Sequence, residues 1–242
     1  MFVRSELKSQ AKEIVKRKYF TMVLVCLISM FLSASMINVQ YNIDNETALI
    51  YLFEMFSFSV DYDKAVMMAI PIVVVGILWQ MFVINPATVG ITSFFLHAAY
   101  DCDKFEDVWS GFKENYAQNI KTMFVMNVTI FLYTLLLFVP GIMKSYSYVF
   151  VPYLLNDYPE KSTTEILKMS EQMANGIRFK IFILGLSFIL WYVLAAVLSL
   201  FTLGMGRLFV EPYISQTYAQ LYLWAKENRL NNHLESKMYL YD

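Results

Sequence analysis

The placement of Lys and Arg among long apolar runs constrains this chain more than any other feature. Six runs, residues 19–37, 65–100, 122–139, 142–156, 179–200 and 212–225, are each apolar enough to be read as one bilayer crossing. On that reading the connections sort nearly all of the 19 basic residues onto one side. That side receives Arg4, Lys8, Lys12, Lys16, Arg17, Lys18, Lys104, Lys113, Lys121, Lys161, Lys168, Arg178, Lys180, Lys226, Arg229 and Lys237. The other receives only Lys64, Lys144 and Arg207. Basic residues beside span ends are retained in the cytoplasm, so the pattern predicts a polytopic membrane protein with both termini cytoplasmic.

Composition agrees, since 58% apolar, 17% aromatic and only 16% charged residues is too apolar for a soluble domain of 242 residues. A run the length of 19–37 spans roughly 28 Å at 1.5 Å per residue, close to the hydrocarbon thickness. A net charge of −1 gives no field that would draw nucleic acid. The basic clusters flank spans, where anionic lipid headgroups account for them, so the bilayer is the expected partner and nucleic acid is not. Cys26 and Cys102 have no paired spacing and read as reduced thiols. Lys16-Arg17-Lys18 followed by an apolar run and Ser33-Ala34-Ser35 has the outline of a cleavable signal. The long amphipathic stretch before it argues against cleavage.

The expected fold is all-α: a single membrane domain over 1–242, with about six spans arranged as three pseudo-repeated helical hairpins. Each hairpin is preceded by an amphipathic, interfacial helix. The apolar positions Leu7, Ala11, Ile14 and Val15, then Phe105, Val108, Trp109, Phe112 and Tyr116, then Ile166, Leu167, Ser170 and Met173 recur in steps of three and four, each set on one helical face. The flanking segments are 1–18, 101–121, 157–178 and a tail at 226–242, all cytoplasmic, with an acidic outer loop at 38–64 containing Asp44, Glu46, Glu54, Asp61 and Asp63. Ser162 to Glu165 forms a capping box, Asp103 with Glu106 a weaker one, and Asn175-Gly176 a left-handed stop. Residues 65–100 exceed one perpendicular crossing. They read either as one helix kinked near Pro71 or Pro86, or as a span plus an interfacial or re-entrant piece.

Residues that could carry chemistry are few. His97 and His233 are far apart, with no second metal ligand at helical spacing, and no phosphate-binding loop or nucleophile elbow occurs. No enzyme activity, metal or cofactor is expected. The candidate ligand or ion-pair residues are Lys144, which follows Pro140-Gly141, Arg207 with Glu211 at i, i+4, and the tyrosines Tyr146 and Tyr213. Lys144 either anchors at the outer headgroups, the reading favoured here, or meets an acid such as Glu211. The clusters Tyr146, Tyr148, Tyr153 and Tyr213, Tyr218, Tyr222 either line an aromatic groove or form interface belts. Gln80, Asn85 and Asn127 either line a polar path or hydrogen-bond between helices.

The string Pro140-Gly141-Ile142-Met143-Lys144-Ser145-Tyr146-Ser147-Tyr148 is fairly specific, as is Leu186-Ser187-Phe188 with Trp191. With Asp157-Tyr158-Pro159, Ser170, Met173, Gly176, and 204–213 with Tyr222, they resemble the integral membrane proteins of Gram-positive bacteria grouped as domain of unknown function 975. The resemblance implies a bacterial cytoplasmic-membrane protein with about six spans, and carries no activity or catalytic residue with it. The expected function is non-enzymatic binding or movement of an amphipathic ligand, a peptide or lipid, between the hairpins. The alternative is a scaffold, assembly or protection factor for a membrane-protein partner.

Overall fold

No glycine or proline occurs before Pro71, and the backbone reflects it. In the computed structural model a single helix, α1, runs Arg4–Ser57, broken only by non-helical angles at Lys18 (φ −121°, ψ 23°). The structure describes the backbone of residues 4–57, 62–113, 115–202 and 204–238, and the side chains of 4–33, 70–71, 73–113, 115–202 and 204–228. The acidic segment expected as a loop at 38–64 is therefore helical as far as Ser57 and again from Tyr62. Its acidic residues lie in a stretch with no helix breaker and do not end the helix. The side chains of Asp44, Glu46, Glu54, Asp61, Asp63 and Lys64 lie outside the described residues, as do those of Arg229, His233 and Lys237.

Residues 65–100 resolve into one continuous helical run. Helix α2 (Tyr62–Trp79) passes through a π-turn at Gln80–Ile84 into α3 (Asn85–Ala99). Pro86 has no N–H to donate, so the hydrogen-bond register widens in the turn before it. After α3 a 3₁₀ turn (Phe105–Trp109) and the short α4 (Ser110–Lys113) lead to α5 (Tyr116–Leu136). The sequence expects one amphipathic helix here, but Asn115 is left-handed (φ 47°) and breaks it. Only Val108 of the five expected positions is buried, while Phe105 and Trp109 stay exposed. The cap is shifted too: the Asp107 carboxylate accepts the Lys104 backbone N–H at 2.8 Å, and Asp103 is used elsewhere.

The remaining chain forms α6 (Phe138–Ser147), α7 (Val151–Asp157), α8 (Thr163–Ala174), α9 (Arg178–Leu186), α10 (Ile189–Phe201), a 3₁₀ turn (Met205–Phe209) and α11 (Glu211–Met238). The capping box at Ser162 and the left-handed Gly176 (φ 77°) bound α8 as the sequence predicts. Leu7, Ala11, Ile14 and Val15 of α1 are buried, and so are Ile166, Leu167, Ser170 and Met173 of α8. Helix α8 does not lie apart at a surface, however; it packs against α5, α6 and α7.

Among the described residues three helical runs are long and apolar enough to cross a membrane: Val73–Ala99, Tyr116–Leu136 and Arg178–Phe201. Their outward positions, such as Val74, Ile77, Phe131, Leu135, Leu190 and Leu200, remain exposed. Asn85, Ser93, Asn119, Thr122, Ser147, Ser170, Gln216 and Thr217 are buried instead. Apolar outside and polar inside is the arrangement a bilayer selects, and it is consistent with a membrane protein. The fourth apolar run, 142–156, is broken between α6 and α7, and the sixth, 212–225, is the largely buried first part of α11.

Gly90 and Gly111 set the closest approach in the fold. A Cβ on Gly90 would stand 2.0 Å from the Val108 carbonyl oxygen, and one on Gly111 would stand 2.0 Å from that of Pro86. Neither obstacle is a flexible side-chain end, so the backbones must separate. Gly90→Ala and Gly111→Ala are each expected to destabilise the protein by about 1–3 kcal/mol, read as a lower thermal unfolding midpoint in detergent. Ala at Gly176, whose Cβ direction is open, serves as the comparison for backbone strain alone.

Candidate functional site

Charged groups beside apolar helices are stabilised by partners, and most of the ion pairs among the described residues gather at three places. The first gathers several helix ends. At the α1 kink, Arg17 bonds Asp101 at 3.1 Å, and Lys18 bridges Asp101 at 3.1 Å and Asp103. Lys226 of α11 donates to Asp157 at the end of α7 at 2.5 Å, and the Tyr222 hydroxyl donates to the same oxygen at 2.5 Å. The Lys18 bond holds the exposed Asp101 carboxyl below the ordinary carboxylate range. Partial burial works against the Lys18 ammonium, but its bonds to Asp103 and Asp101 outweigh it and raise its pKa. This contact is thus complete above the ordinary Asp pKa and is lost as pH falls through the lowered Asp101 value. The Lys18 contribution is complete below the ordinary Lys pKa and is lost only as pH rises through the raised value.

The second place is Lys144. Its ammonium pairs not with Glu211 but with Glu171 of α8, a residue the sequence reading placed on an interfacial helix facing the opposite side. The Tyr133 ring lies 5.2 Å and the Tyr148 ring 5.0 Å from the same nitrogen, within cation–π range. The two side chains keep 22% and 33% exposure, so the pair is open on one side. One turn along, Ser170 donates to the Ser147 carbonyl at 2.8 Å and fastens α8 to the end of α6. Sequence spacing gives no hint of Glu171, which lies 27 residues away across two turns.

The third is Arg207 with Glu211, which bond each other at 2.7 Å along the start of α11. Tyr213 is packed between Phe188 (5.7 Å) and Trp191 (5.2 Å), and Tyr146 meets Phe182 edge-on at 5.8 Å. Tyr153 stacks on Tyr222 at 5.0 Å, both buried. These rings pack α6 on α9, α7 on α11, and α10 on α11. Asn85 accepts hydrogen bonds from Gln80 and from Asn127, each at 3.3 Å, so those amides tie helices together. His97 pairs with Asp107 at 2.9 Å, and the described residues hold no cluster of metal-ligating type. Cys26 is buried, Cys102 exposed, and both are free thiols.

The model of a family described as protein of unknown function, DUF975, matches residues 27–229. No curated protein and no solved structure matches the chain.

Lys144→Gln and Glu171→Gln are each expected to lower stability by about 1–2 kcal/mol, the partial exposure trimming a charge-assisted bond. The exchange Lys144→Glu with Glu171→Lys should restore part of the loss, whereas Lys144→Glu with Glu211→Lys should restore none. A double-mutant cycle on thermal unfolding in detergent checks both.

Proposed function

We propose that this chain, which belongs to the DUF975 family of proteins of unknown function, binds or moves an amphipathic ligand, a lipid or peptide, without covalent chemistry. In this reading it is a bacterial cytoplasmic-membrane protein. Six crossings form three hairpins with both termini facing the cytoplasm, and the Lys144–Glu171 pair requires α8 to reach into the bundle rather than lie at the cytoplasmic surface. The observation that carries it is the half-open Lys144–Glu171 pair, framed by Tyr133 and Tyr148 and bordered on α6 by the exposed apolar Phe138, Val139 and Met143. A ligand headgroup can exchange with one member of the pair while its apolar body lies along those exposed residues. A charge partner beside lipid-facing surface is what an amphipath requires and what a purely structural bridge does not.

A scaffold role is the second reading, favoured by the tyrosines that pack the interior and leave the apolar faces of α2, α5 and α10 to neighbouring helices. Purification in mild detergent separates the two. A stoichiometric membrane partner favours the scaffold, and a lone protein that binds lipids or peptides saturably in nanodiscs favours the ligand binder. Binding that is unchanged in Lys144→Gln removes the proposed site.

The topology has its own test. With Cys26 and Cys102 replaced, single cysteines at Asn45 and Met205 should react with an impermeant maleimide in intact cells. Those at Lys113, Glu160 and Asn232 should react only after lysis. Labelling of Lys113 from outside would contradict the single crossing assigned to residues 65–100.

A further inference from the structure

A cleft of about 250 Å³ opens between the N-terminal part of α1 and α11, away from Lys144. Glu6 and Gln10 come from α1, and Gln220, Trp224 and Glu227 from α11, with a leucine from each helix completing the wall. Two carboxylates face one small space, and among the described residues neither has an ion-pair partner. The lysines nearest in sequence are engaged elsewhere: Lys226 with Asp157 at 2.5 Å, and Lys8 with the Ser187 carbonyl at 3.4 Å and the Phe188 ring at 4.5 Å.

Gln220 gives an independent indication. Only 8% of it is exposed, yet its amide has no hydrogen-bond partner among the described residues, and it lines the cleft. Its amide sits at the cleft wall with its bonding capacity unused, so a group in the cleft that fills those bonds is favoured. One turn earlier Gln216 is fully buried with both amide atoms unpartnered, extending this polar stripe along α11. Trp224 adds an aromatic ring, which attracts cations, and the two leucines accept a short apolar stem. The volume is below that of a drug-sized pocket and suits one cationic head on a few methylenes.

We propose that this cleft is a binding site for a primary ammonium or guanidinium group carried on a short apolar chain. Glu6 and Glu227 supply the counter-charge, Gln220 and Gln10 accept the remaining N–H bonds, and Trp224 covers the cation. The site stands apart from the Lys144 reading and survives its failure. An anionic headgroup, which the basic residues nearby would attract, is excluded from the cleft itself by its two carboxylates.

The test uses the full chain in phosphatidylcholine nanodiscs with hexylamine and hexylguanidine as probes, read by saturation-transfer NMR. Saturable binding of both is expected, with hexanol and hexanoate at least tenfold weaker. E6Q/E227Q should weaken the cationic probes at least tenfold, and Gln220→Leu severalfold. Thermal unfolding of each variant shows whether it is folded, and the single Glu227→Gln, on the exposed side of α11, provides a milder change if the double variant is not. Competition by a short Lys-containing amphipathic peptide, absent in its norleucine analogue, would identify a protein segment as the source of the cation; binding of the free amines without that competition would identify a small amine. Equal binding of hexanol or hexanoate, cationic binding indifferent to the Glu→Gln changes, or no saturable binding of either probe would overturn the proposal.

Discussion

A bundle whose outer surface is as apolar as hydrocarbon gains nothing by hiding apolar area from lipid, so hydrogen bonds and close packing must hold its helices in place. This constraint organises the interior. Asn85 collects two amides from neighbouring turns and from α5, and Asn156 of α7 donates to the Val89 carbonyl at 3.0 Å. Ser170 reaches the Ser147 carbonyl, and Thr122 bonds Thr163 at 3.0 Å. Apart from the Gln80 bond, each contact joins segments distant in sequence through polar side chains held inside the bundle. Gly90 and Gly111 belong to the same logic, because missing side chains let carbonyls of the adjoining segment approach where dispersion is strongest.

Several residues of the asymmetric basic pattern have a structural use. Lys18 sits where α1 bends, and its two aspartate partners follow α3, so the bend and the helix end fix one another. Lys226 does the same between α11 and α7 through Asp157. Acids placed just after helix ends thus hold several of the cations that the charge pattern assigns to one side. Arg17 keeps half its side-chain surface exposed while making its bond, leaving it available to headgroups as well.

Several parts of this arrangement were legible in the sequence because they depend on local spacing. The buried faces of α1 and α8, the Ser162 cap, the Gly176 stop and the Arg207–Glu211 bond all follow from steps of three or four residues. The segment 38–57 was misread because its acids suggested a loop, although the absence of Gly and Pro before Pro71 already favoured a helix. Breakage at Asn115 was not legible, since αL geometry is open to Asn but not demanded by it. Glu171 could not be found from sequence either. A surface helix would not meet Lys144; only the packing of α8 against α5, α6 and α7 brings the carboxylate there.

Lys144 shows how one side chain can substitute for missing apolar adhesion. Tyr133 belongs to α5, Tyr148 ends α6 and Glu171 lies on α8, so a single ammonium touches groups from three segments. Gly141, just before it, lets α6 press directly on α5, where a Cβ would stand 2.2 Å from the Thr134 hydroxyl oxygen, and Lys144 adds a polar tie to that packing. A compact ammonium with three donors can face a carboxylate while two aromatic faces approach within about 5–6 Å, the distance at which ring quadrupoles act. The planar guanidinium of Arg presents a wider, flat fork and would stack on one ring rather than sit between two. The residue type therefore follows from the geometry: a point charge on a flexible stem, among rings, at the edge of an apolar surface.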